Sequence, residues 1–233
     1  MLIDKNIKKS LFRGFFCFRK GLFVLFLITS FTLFSQEKLT VKREIQSKEI
    51  EIFSDGLDDI VIENSLNNQL EVVLFDENPN THRIFITEKK GVLKVSFKLN
   101  FEFQQTQVFR KYITKRLQRA KVVLKIPKHK NVFVYGQTIG VEAKSYQGDL
   151  SIFIDKGNVK LHQVKKSVLV KLFLGNVSAQ ISKKNAINIK TTKGKILIDS
   201  QNYKSPFYNK IANPLVFKFN IESINANVTL ITK

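Results

Sequence analysis

Residues 148–198 read GDLSIFIDKGNVKLHQVKKSVLVKLFLGNVSAQISKKNAINIKTTKGKILI, and this stretch decides the fold. It contains one short pattern four times, in which a glycine and a polar residue precede alternating apolar positions. The copies begin at Gly148, Gly157, Gly175 and Gly194, which are separated by 9, 18 and 19 residues. Glycine supplies the positive φ that a sharp corner requires. A fixed short period with apolar alternation is typical of a β-solenoid, whose coils stack their inward side chains.

Alternation of apolar and polar residues also dominates between Ile45 and Ile126, where turn clusters separate the short runs. This pattern predicts an all-β protein. We expect a strand-rich lead-in at 36–120, with a basic loop or short helix at 104–119, joined to a short irregular single-stranded β-solenoid at 121–233. Within the latter, 201–214 is expected to be a loop. An antiparallel β-sandwich whose hairpin turns carry glycine is the alternative.

Residues 1–35 are predicted to be a secretory signal peptide. Basic residues precede an uncharged stretch at 21–34, and Ser35 follows it, which is the usual order in such a signal. The fourteen residues of this stretch would span about 21 Å as a helix, short of a hydrocarbon core of about 30 Å. Cleavage after Ser35 is expected, and an uncleaved membrane anchor is the alternative. Cys17 precedes the apolar stretch, so the exported chain would contain no cysteine.

The charge of the chain is divided unevenly along its length. The 233 residues include 39 lysines and arginines against 19 aspartates and glutamates, a formal charge of +20. Counted by region, this is +5 in 1–35, −7 in 36–88 and +22 in 89–233. A hydrophobic content of 43% excludes wholesale disorder. One cysteine excludes a disulfide framework and a cysteine-rich zinc site.

The basic window at 103–141 contains nine lysines and arginines and no acid. In an exported protein the expected polyanions are anionic glycans or lipopolysaccharide rather than nucleic acid. The alternative is a solvated basic face that only keeps the protein soluble. An envelope protein is the other expected partner, and membrane contact is expected only through the N-terminal segment. The residues predicted to bind a polyanion are Arg110, Lys111, Lys115, Arg116, Arg119 and Lys121.

The sequence offers no arrangement typical of a catalytic or metal site, and we predict no cofactor. His82, His129 and His162 are separated in sequence, with no second histidine or cysteine at ligand spacing. We expect all three to be surface histidines. A β-helix carbohydrate-active enzyme is the enzymatic alternative. It would require the acids of the repeat region, among them Asp149 and Asp155, to cluster on one face.

The repeat region resembles a known family. Residues 122–128 (VVLKIPK), then Val132-Phe133-Val134, then the glycine corners, resemble the putative-adhesin domain family of bacterial envelope β-solenoid proteins. The end of the signal peptide, Phe34-Ser35-Gln36, is similar to those of the Bacteroidetes. The resemblance implies adhesion, although most members have no known function. It also shows departures, because no corner has the family's Ser-Gly-Asp triplet and Ala226 takes the place of glycine in a degenerate last unit.

The combined prediction is an exported, non-enzymatic protein of the cell envelope, structural or adhesin-like, which contacts anionic polymers through a basic face. Its location would be the periplasm, the outer-membrane surface or the medium. The alternative function is a periplasmic protein-binding partner in envelope stress signalling.

Overall fold

The computed structural model describes residues 37–76, 82–99, 120–209 and 217–233. Every regular element in these ranges is a β-strand, so the all-β class is confirmed, and no helix there is long and apolar enough to cross a membrane. The predicted signal peptide and the window at 104–119 lie outside the described residues. The strands are β1 (Glu37–Glu44), β2 (Glu49–Phe53), β3 (Asp59–Asn64), β4 (Gln69–Asp76), β5 (His82–Lys89), β6 (Val92–Leu99), β7 (Ala120–Ile126), β8 (Asn131–Thr138), β9 (Gly140–Lys144), β10 (Leu150–His162), β11 (Val168–Ile181), β12 (Ala186–Thr191), β13 (Ile196–Ile198), β14 (Gln201–Tyr203), β15 (Phe207–Asn209) and β16 (Lys218–Thr232).

The strands form one large mixed sheet that consists of two rows. The first row has the order β5, β6, β2, β8, β10, β11, β16, β12 and β15. The second has the order β1, β4, β7, β3, β9, β10, β11, β16, β13 and β14. β10, β11 and β16 belong to both rows, because their first halves pair in one row and their second halves in the other. Inner neighbours are parallel, and antiparallel strands cover both ends.

Parallel neighbours in the middle of each row are offset by one repeat of the sequence. In the first row, Val132 of β8 lies opposite Leu150 of β10, which lies opposite Val168 of β11. In the second row, Val141 of β9 lies opposite Val159 of β10. Each of these steps along the chain equals the interval between two consecutive glycine corners, Gly157 and Gly175, which also lie opposite each other. The interval between glycine corners therefore equals the sequence offset between paired residues of neighbouring strands, and this offset defines the register of the sheet.

The spatial order departs from the chain order at two places. β16 lies between β11 and the pair β12–β13, although β12 follows β11 in the sequence. In the same way, β2 and β3 lie between β6–β7 and β8–β9. Consequently the last strand of the chain is an inner strand, and strands from the acidic part of the sequence pair directly with strands from the basic part.

A single hydrophobic cluster fills the space between the two rows, because alternate side chains of both rows point into it. Ile52, Val134, Ile152, Val170 and Ile221 are neighbours on five successive strands of the first row, and all are fully buried. Burial of one such side chain contributes about 1.5–3 kcal/mol. The second row adds a matching ladder of buried residues: Val122, Ile60, Val141, Val159, Val177, Val228 and Ile196.

The corner at which strands pass from the first row to the second contains stacked glycines and asparagines. Gly157 lies opposite Gly175, and each has an asparagine as its next residue. Asn176 Nδ2 donates to Asn158 Oδ1 at 2.9 Å, and Asn227 Nδ2 donates to Asn176 Oδ1 at 3.3 Å. The amide ladder links three successive strands on the outer side of this corner.

The four predicted corner glycines occupy two different places. Gly157, Gly175 and Gly194 lie at the corner just described, where Gly194 packs against the carbonyl oxygen of Ala226. Gly148 lies at the opposite turn, where a Cβ would be 2.2 Å from the carbonyl oxygen of Lys130. Gly148 and Gly157 therefore lie at the two ends of the first-row part of β10, which explains the shorter interval between them.

The expectation of a plain loop at 201–214 is wrong for its first part. β14 pairs antiparallel with β13, and β15 pairs antiparallel with β12. The ring of Tyr203 packs edge-on against Phe207, with 4.8 Å between ring centroids. The outer edges of β12 and β13 carry backbone groups that need partners, and these residues supply them. Residues 210–214 lie outside the described part of the chain.

Candidate functional site

Most of the predicted polyanion-binding residues cannot be placed. Lys121 is described, and it is an exposed residue of β7 that lies opposite Asp59 of β3. It lines a groove of about 510 Å³ whose three lysines are balanced by three carboxylates, Asp58, Asp59 and Glu142. The described surface around Lys121 is therefore formally neutral. The remaining predicted residues lie outside the described ranges: Arg110, Lys111, Lys115, Arg116 and Arg119.

Lysines on the outer face of the second row form ion pairs within the molecule. Side chains of alternating charge occupy five neighbouring strands in the order Lys42, Glu71, Lys125, Glu63 and Lys144. The N–O distances are 4.0 Å for Lys42–Glu71, 3.3 Å for Lys125–Glu71 and 2.9 Å for Lys144–Glu63. The hydrogen bond from Lys144 to Glu63 raises the pKa of Lys144. Lys125 and Lys144 are therefore neutralised by their neighbours, whereas Lys42 is 61% exposed and only loosely paired, so its charge still faces solvent.

The turns that lead from the second row back to the first are stacked on one another. The amide of His129 donates to the carbonyl oxygen of Gln147 at 2.9 Å, and the amide of Ser167 donates to the Asp149 carboxylate at 3.1 Å. Three successive turns are thus joined to one another, and the amide of Lys183 in the fourth turn donates to the carbonyl oxygen of Lys233 at 3.1 Å. The turns comprise residues 127–130, 145–149, 163–167 and 182–185.

These stacked turns concentrate lysines along one side of the molecule. Lys130 donates to the carbonyl oxygen of Ser47 at 2.7 Å, and the Lys166 ammonium lies 4.7 Å from the centroid of the Phe217 ring. Within the described ranges, none of the lysines on this side is in an ion pair with a carboxylate. We call this surface the basic edge, and it consists of Lys128, Lys130, Lys165, Lys166, Lys183, Lys184, Lys218 and Lys233.

Asp149 and Asp199 lie beside the basic edge, and both have hydrogen-bond partners. Asp149 accepts the Ser167 amide, as described above. Asp199 accepts the Thr232 hydroxyl at 2.6 Å and the Thr232 amide at 2.8 Å. These hydrogen bonds lower the pKa of Asp199, and the nearby charge of Lys183 lowers it further. The excess of lysines over carboxylates leaves the basic edge with a net positive charge.

Three aromatic rings form a ladder on the outer face of the first row. Phe53, Tyr135 and Phe153 lie on β2, β8 and β10, and successive ring centroids are 5.3 Å apart in a stacked arrangement. Burial, followed by the charge of Glu51, raises the pKa of Tyr135. Because the rings cover one another's faces, the ladder stabilises the sheet but does not offer a continuous flat platform to a ligand.

His82 corrects the expectation that all three histidines are exposed. Only 4% of its surface is accessible, and its ring lies between two acceptors. Nδ1 is 2.7 Å from Oδ2 of Asp76, and Nε2 is 2.9 Å from the carbonyl oxygen of Gly56. The hydrogen bond between these side chains joins the end of β4 at Asp76 to the start of β5 at His82. His129 and His162 are exposed, as predicted.

The acids of the repeat region do not form a catalytic pair within the described residues. Glu142 pairs with His162 at 3.1 Å, and Glu222 pairs with Lys171 at 2.9 Å. Asp149 and Asp199 accept separate hydrogen bonds, as given above. The described ranges also contain no group of three histidines, cysteines or carboxylates that could hold a metal ion. Within the described ranges, Glu142, Asp149 and Asp199 are therefore held in separate contacts.

Sequence reasoning alone did not identify the basic edge. The signal was present, because Lys165-Lys166 and Lys183-Lys184 are separated by the same interval as Gly157 and Gly175. Since that interval is also the register of the sheet, equivalent turns recur on the same side of the molecule. The high density of basic residues at 103–141 instead predicted a polyanion-binding site in that part of the chain.

Comparison with solved structures found one protein with a similar fold and others that superpose more loosely. A putative cell adhesion protein from Clostridium sporogenes superposes with a TM-score of 0.61 at 10% identity, covering 85% of this chain and 100% of the other. A putative adhesin from Bacteroides fragilis has a TM-score of 0.35 at 9% identity, covering 84% and 98% of the two chains. A putative lipid binding protein from Parabacteroides distasonis has a TM-score of 0.23 at 11% identity, covering 84% and 97%.

No protein-family model matches the chain, and no curated protein matches it significantly. The superposition on the Clostridium protein shows a shared fold. The other two superpose too loosely to support an argument. At 10% identity, the similarity to the Clostridium protein extends to the fold alone.

Proposed function

We propose that this chain is an exported, non-enzymatic protein of the cell envelope, adhesin-like or structural, which binds anionic surface polymers through lysines and arginines. Its described part would act as a rigid support for the basic edge. Glu142, Asp149 and Asp199 each have a separate partner, which supports a binding role over the alternative of a carbohydrate-active enzyme.

The finer fold that we propose is a β-solenoid rather than an antiparallel sandwich. Parallel inner neighbours offset by one sequence repeat support this assignment, because hairpin connections would make sequential strands antiparallel. Ladders of identical or similar side chains on successive strands are what stacked coils produce. Antiparallel strands at the two ends would then be caps that protect the terminal coils.

The observation that carries the proposed function is the basic edge. Equivalent turns stack along it, so its positive charges lie in a line rather than on a compact patch. Neighbouring strands are about 4.8 Å apart, and a linear polyanion can therefore contact several turns at once. Ionic contacts of this kind add up and weaken as salt rises.

Affinity chromatography on heparin tests the proposal with paired charge reversals. The variant Lys165→Glu/Lys184→Glu changes two turns of the basic edge, and we expect it to elute at clearly lower salt than the parent protein. The matched control is Lys156→Glu/Lys160→Glu, which makes the same charge change at two exposed residues away from the edge. Its elution should shift much less.

A second arm tests the basic window with Arg110→Glu, Lys115→Glu and Arg119→Glu, both on heparin and on lipopolysaccharide. Loss of retention here, with the basic edge intact, would move the site to the window. Retention that is equal in all variants and insensitive to salt would contradict the proposed function.

A further inference from the structure

A groove of about 690 Å³ crosses four neighbouring strands of the first row. It lies at the opposite end of these strands from the basic edge. β10, β11, β16 and β12 each contribute to it, so it is about 14 Å wide at a strand spacing of about 4.8 Å. The side chains that decide its chemistry are Phe153, Asp155, Lys171, Phe173, Lys190, Glu222 and Ile224.

The apolar part of the groove is unusually exposed. Phe173 and Ile224 are outward neighbours on β11 and β16, with 60% and 46% of their surfaces accessible. Phe153 is the last ring of the aromatic ladder, so one face of this ring is covered by Tyr135 while Lys171 follows on the other side. Exposed apolar groups gathered in a concave surface are typical of a binding site.

The polar part of the groove contains both donors and acceptors. Lys171 and Glu222 form an ion pair at 2.9 Å, and Lys190 lies opposite Glu222 on the next strand. Asp155 lies at the other end of the groove, on β10. Two lysines and two carboxylates give the groove no formal net charge, which distinguishes it from the basic edge.

Three ligand classes fit this groove poorly. A polyanion would meet Asp155 and Glu222 as well as the lysines. An acyl chain would take two lysines and two carboxylates out of water, which costs free energy even for the paired Lys171 and Glu222. A peptide could not add as a strand, because the backbone groups of these inner strands are already used in the sheet.

We propose that the groove binds a short uncharged oligosaccharide. The apolar face of a sugar ring would stack on Phe173, the exposed ring of the groove. Its hydroxyls would donate to Glu222 and Asp155 and accept from Lys171 and Lys190. Stacking would supply contact area, and the charged groups would fix the orientation of the sugar, as polar groups commonly do in ligand pockets. This inference goes beyond the proposed function, because it concerns a different surface and a ligand without charge.

NMR titration of the full-length protein tests this inference. Amide signals are followed while uncharged linear trisaccharides of glucose, galactose, mannose or N-acetylglucosamine are added. We expect at least one sugar to shift signals of β11, β16 and β12 around the groove. Phe173→Ala should weaken that binding about tenfold through loss of a stacked ring. The matched control is Phe85→Ala, which removes an exposed ring from the edge strand β5.

Salt separates this site from the basic edge. Sugar binding in the groove should be unchanged between low and high salt, and also in Lys165→Glu/Lys184→Glu. Retention on heparin should be unchanged in Phe173→Ala. The inference is overturned if no trisaccharide shifts the groove signals at its solubility limit, or if Phe173→Ala and Phe85→Ala bind the sugar equally well.

Discussion

At the scale of single residues, Gly175 shows how closely the strands approach at the corner. A Cβ on Gly175 would lie 1.8 Å from the carbonyl oxygen of Gly157, and its φ of +149° is rarely adopted by other residues. Gly175→Ala must therefore push β10 and β11 apart. We expect it to lower the free energy of unfolding by about 3 kcal/mol, which is typical of overpacking an ordered core. Urea unfolding followed by circular dichroism measures this change.

Gly91→Ala is the matched control for Gly175→Ala. Gly91 has a φ of +77°, and nothing lies within 4 Å of a Cβ built there. The substitution therefore adds only a backbone penalty of about 1 kcal/mol. An equal loss of stability in the two variants would show that backbone conformation, and not close stacking of the coils, explains the glycine at 175.

The lowered pKa of Asp199 leads to a prediction about how its charge and its stabilising effect depend on pH. Hydrogen bonds from Thr232 lower its pKa in the folded protein. A lowered pKa means that the ionised group stabilises the fold above its unfolded pKa, and that this stabilisation is lost as pH falls through the folded pKa. Thr232→Val removes the hydroxyl donor and keeps the amide donor. We expect the pKa of Asp199 to rise towards its ordinary value, as measured by carbon-detected NMR titration.

Thr229→Val provides the comparison for this titration. Thr229 is an exposed residue of the same strand and is not a partner of Asp199. Its replacement should leave the pKa of Asp199 unchanged. If Thr232→Val also leaves it unchanged, the Thr232 hydroxyl is not the main cause of the lowered pKa.

At the scale of elements, β16 is the strand whose position most needs explanation. Val168 lies opposite Phe219, and Phe219 lies opposite Ile187, so the step from β11 to β12 across the inserted strand runs from Val168 to Ile187. That step is one residue longer than the step from Leu150 to Val168, which are directly paired. Direct pairing of β11 with β12 would satisfy the repeat equally well. Insertion buries the apolar side of β16 between two coils and pairs both of its edges.

Engineered disulfides distinguish insertion from direct pairing. In a Cys17→Ser background, Ser178→Cys/Thr229→Cys places thiols on directly paired residues of β11 and β16. Paired strands about 4.8 Å apart satisfy the distance needed for a disulfide. We expect this variant to oxidise quantitatively to an intramolecular disulfide, as measured by mass spectrometry and non-reducing electrophoresis.

Ser178→Cys/Leu197→Cys is the control for the disulfide. Leu197 lies opposite Thr229 on the far side of β16, so two strand spacings separate it from Ser178. That is about 9.6 Å, which is too far for a disulfide. Oxidation of this pair, with none in Ser178→Cys/Thr229→Cys, would mean that β12 and β13 follow β11 directly.

The fate of particular elements shows what the sequence could predict. The regular spacing of the glycines predicted the register of β10 on β11, because paired residues of these strands are offset by one repeat of the sequence. It could not predict the place of β16, since the repeat is compatible with two neighbours for β11. The His82–Asp76 pair was also missed, because a lone histidine has no periodic signal and its burial depends on Gly56 in a distant turn. The residues predicted to bind a polyanion remain a prediction, apart from the position of Lys121.

At the scale of the whole molecule, the charges are arranged by pairing as well as by region. β2, β3 and β4, from the acidic part of the sequence, pair with strands from the basic part and neutralise several of their lysines. The part of the sequence after residue 89 has few acids, so the lysines of its turns remain without carboxylate partners along the basic edge. The excess of positive charge in the later part of the sequence is thus concentrated on one side of the fold.

The same molecule must also protect the open ends of its two rows. β1 and β5 each pair with a single described strand, and an open strand edge can pair with another molecule. Arg43 links these two end strands, since its Nη1 donates to the carbonyl oxygen of Ile86 at 3.2 Å and its Nη2 lies 3.5 Å from Glu88. Lys38 and Lys42 place two further charges on β1. Charged side chains on an edge strand oppose pairing between molecules.

Removing the two lysines of β1 tests whether they keep the molecules apart. Lys38→Val/Lys42→Val increases the strand propensity of an open edge and removes its repulsion, so we expect concentration-dependent self-association in sedimentation velocity. Lys156→Val/Lys160→Val removes the same charge from β10, which has partners on both sides. That variant should associate no more than the parent protein. Equal association of both variants would show that net charge, rather than protection of the edge, keeps the protein dispersed.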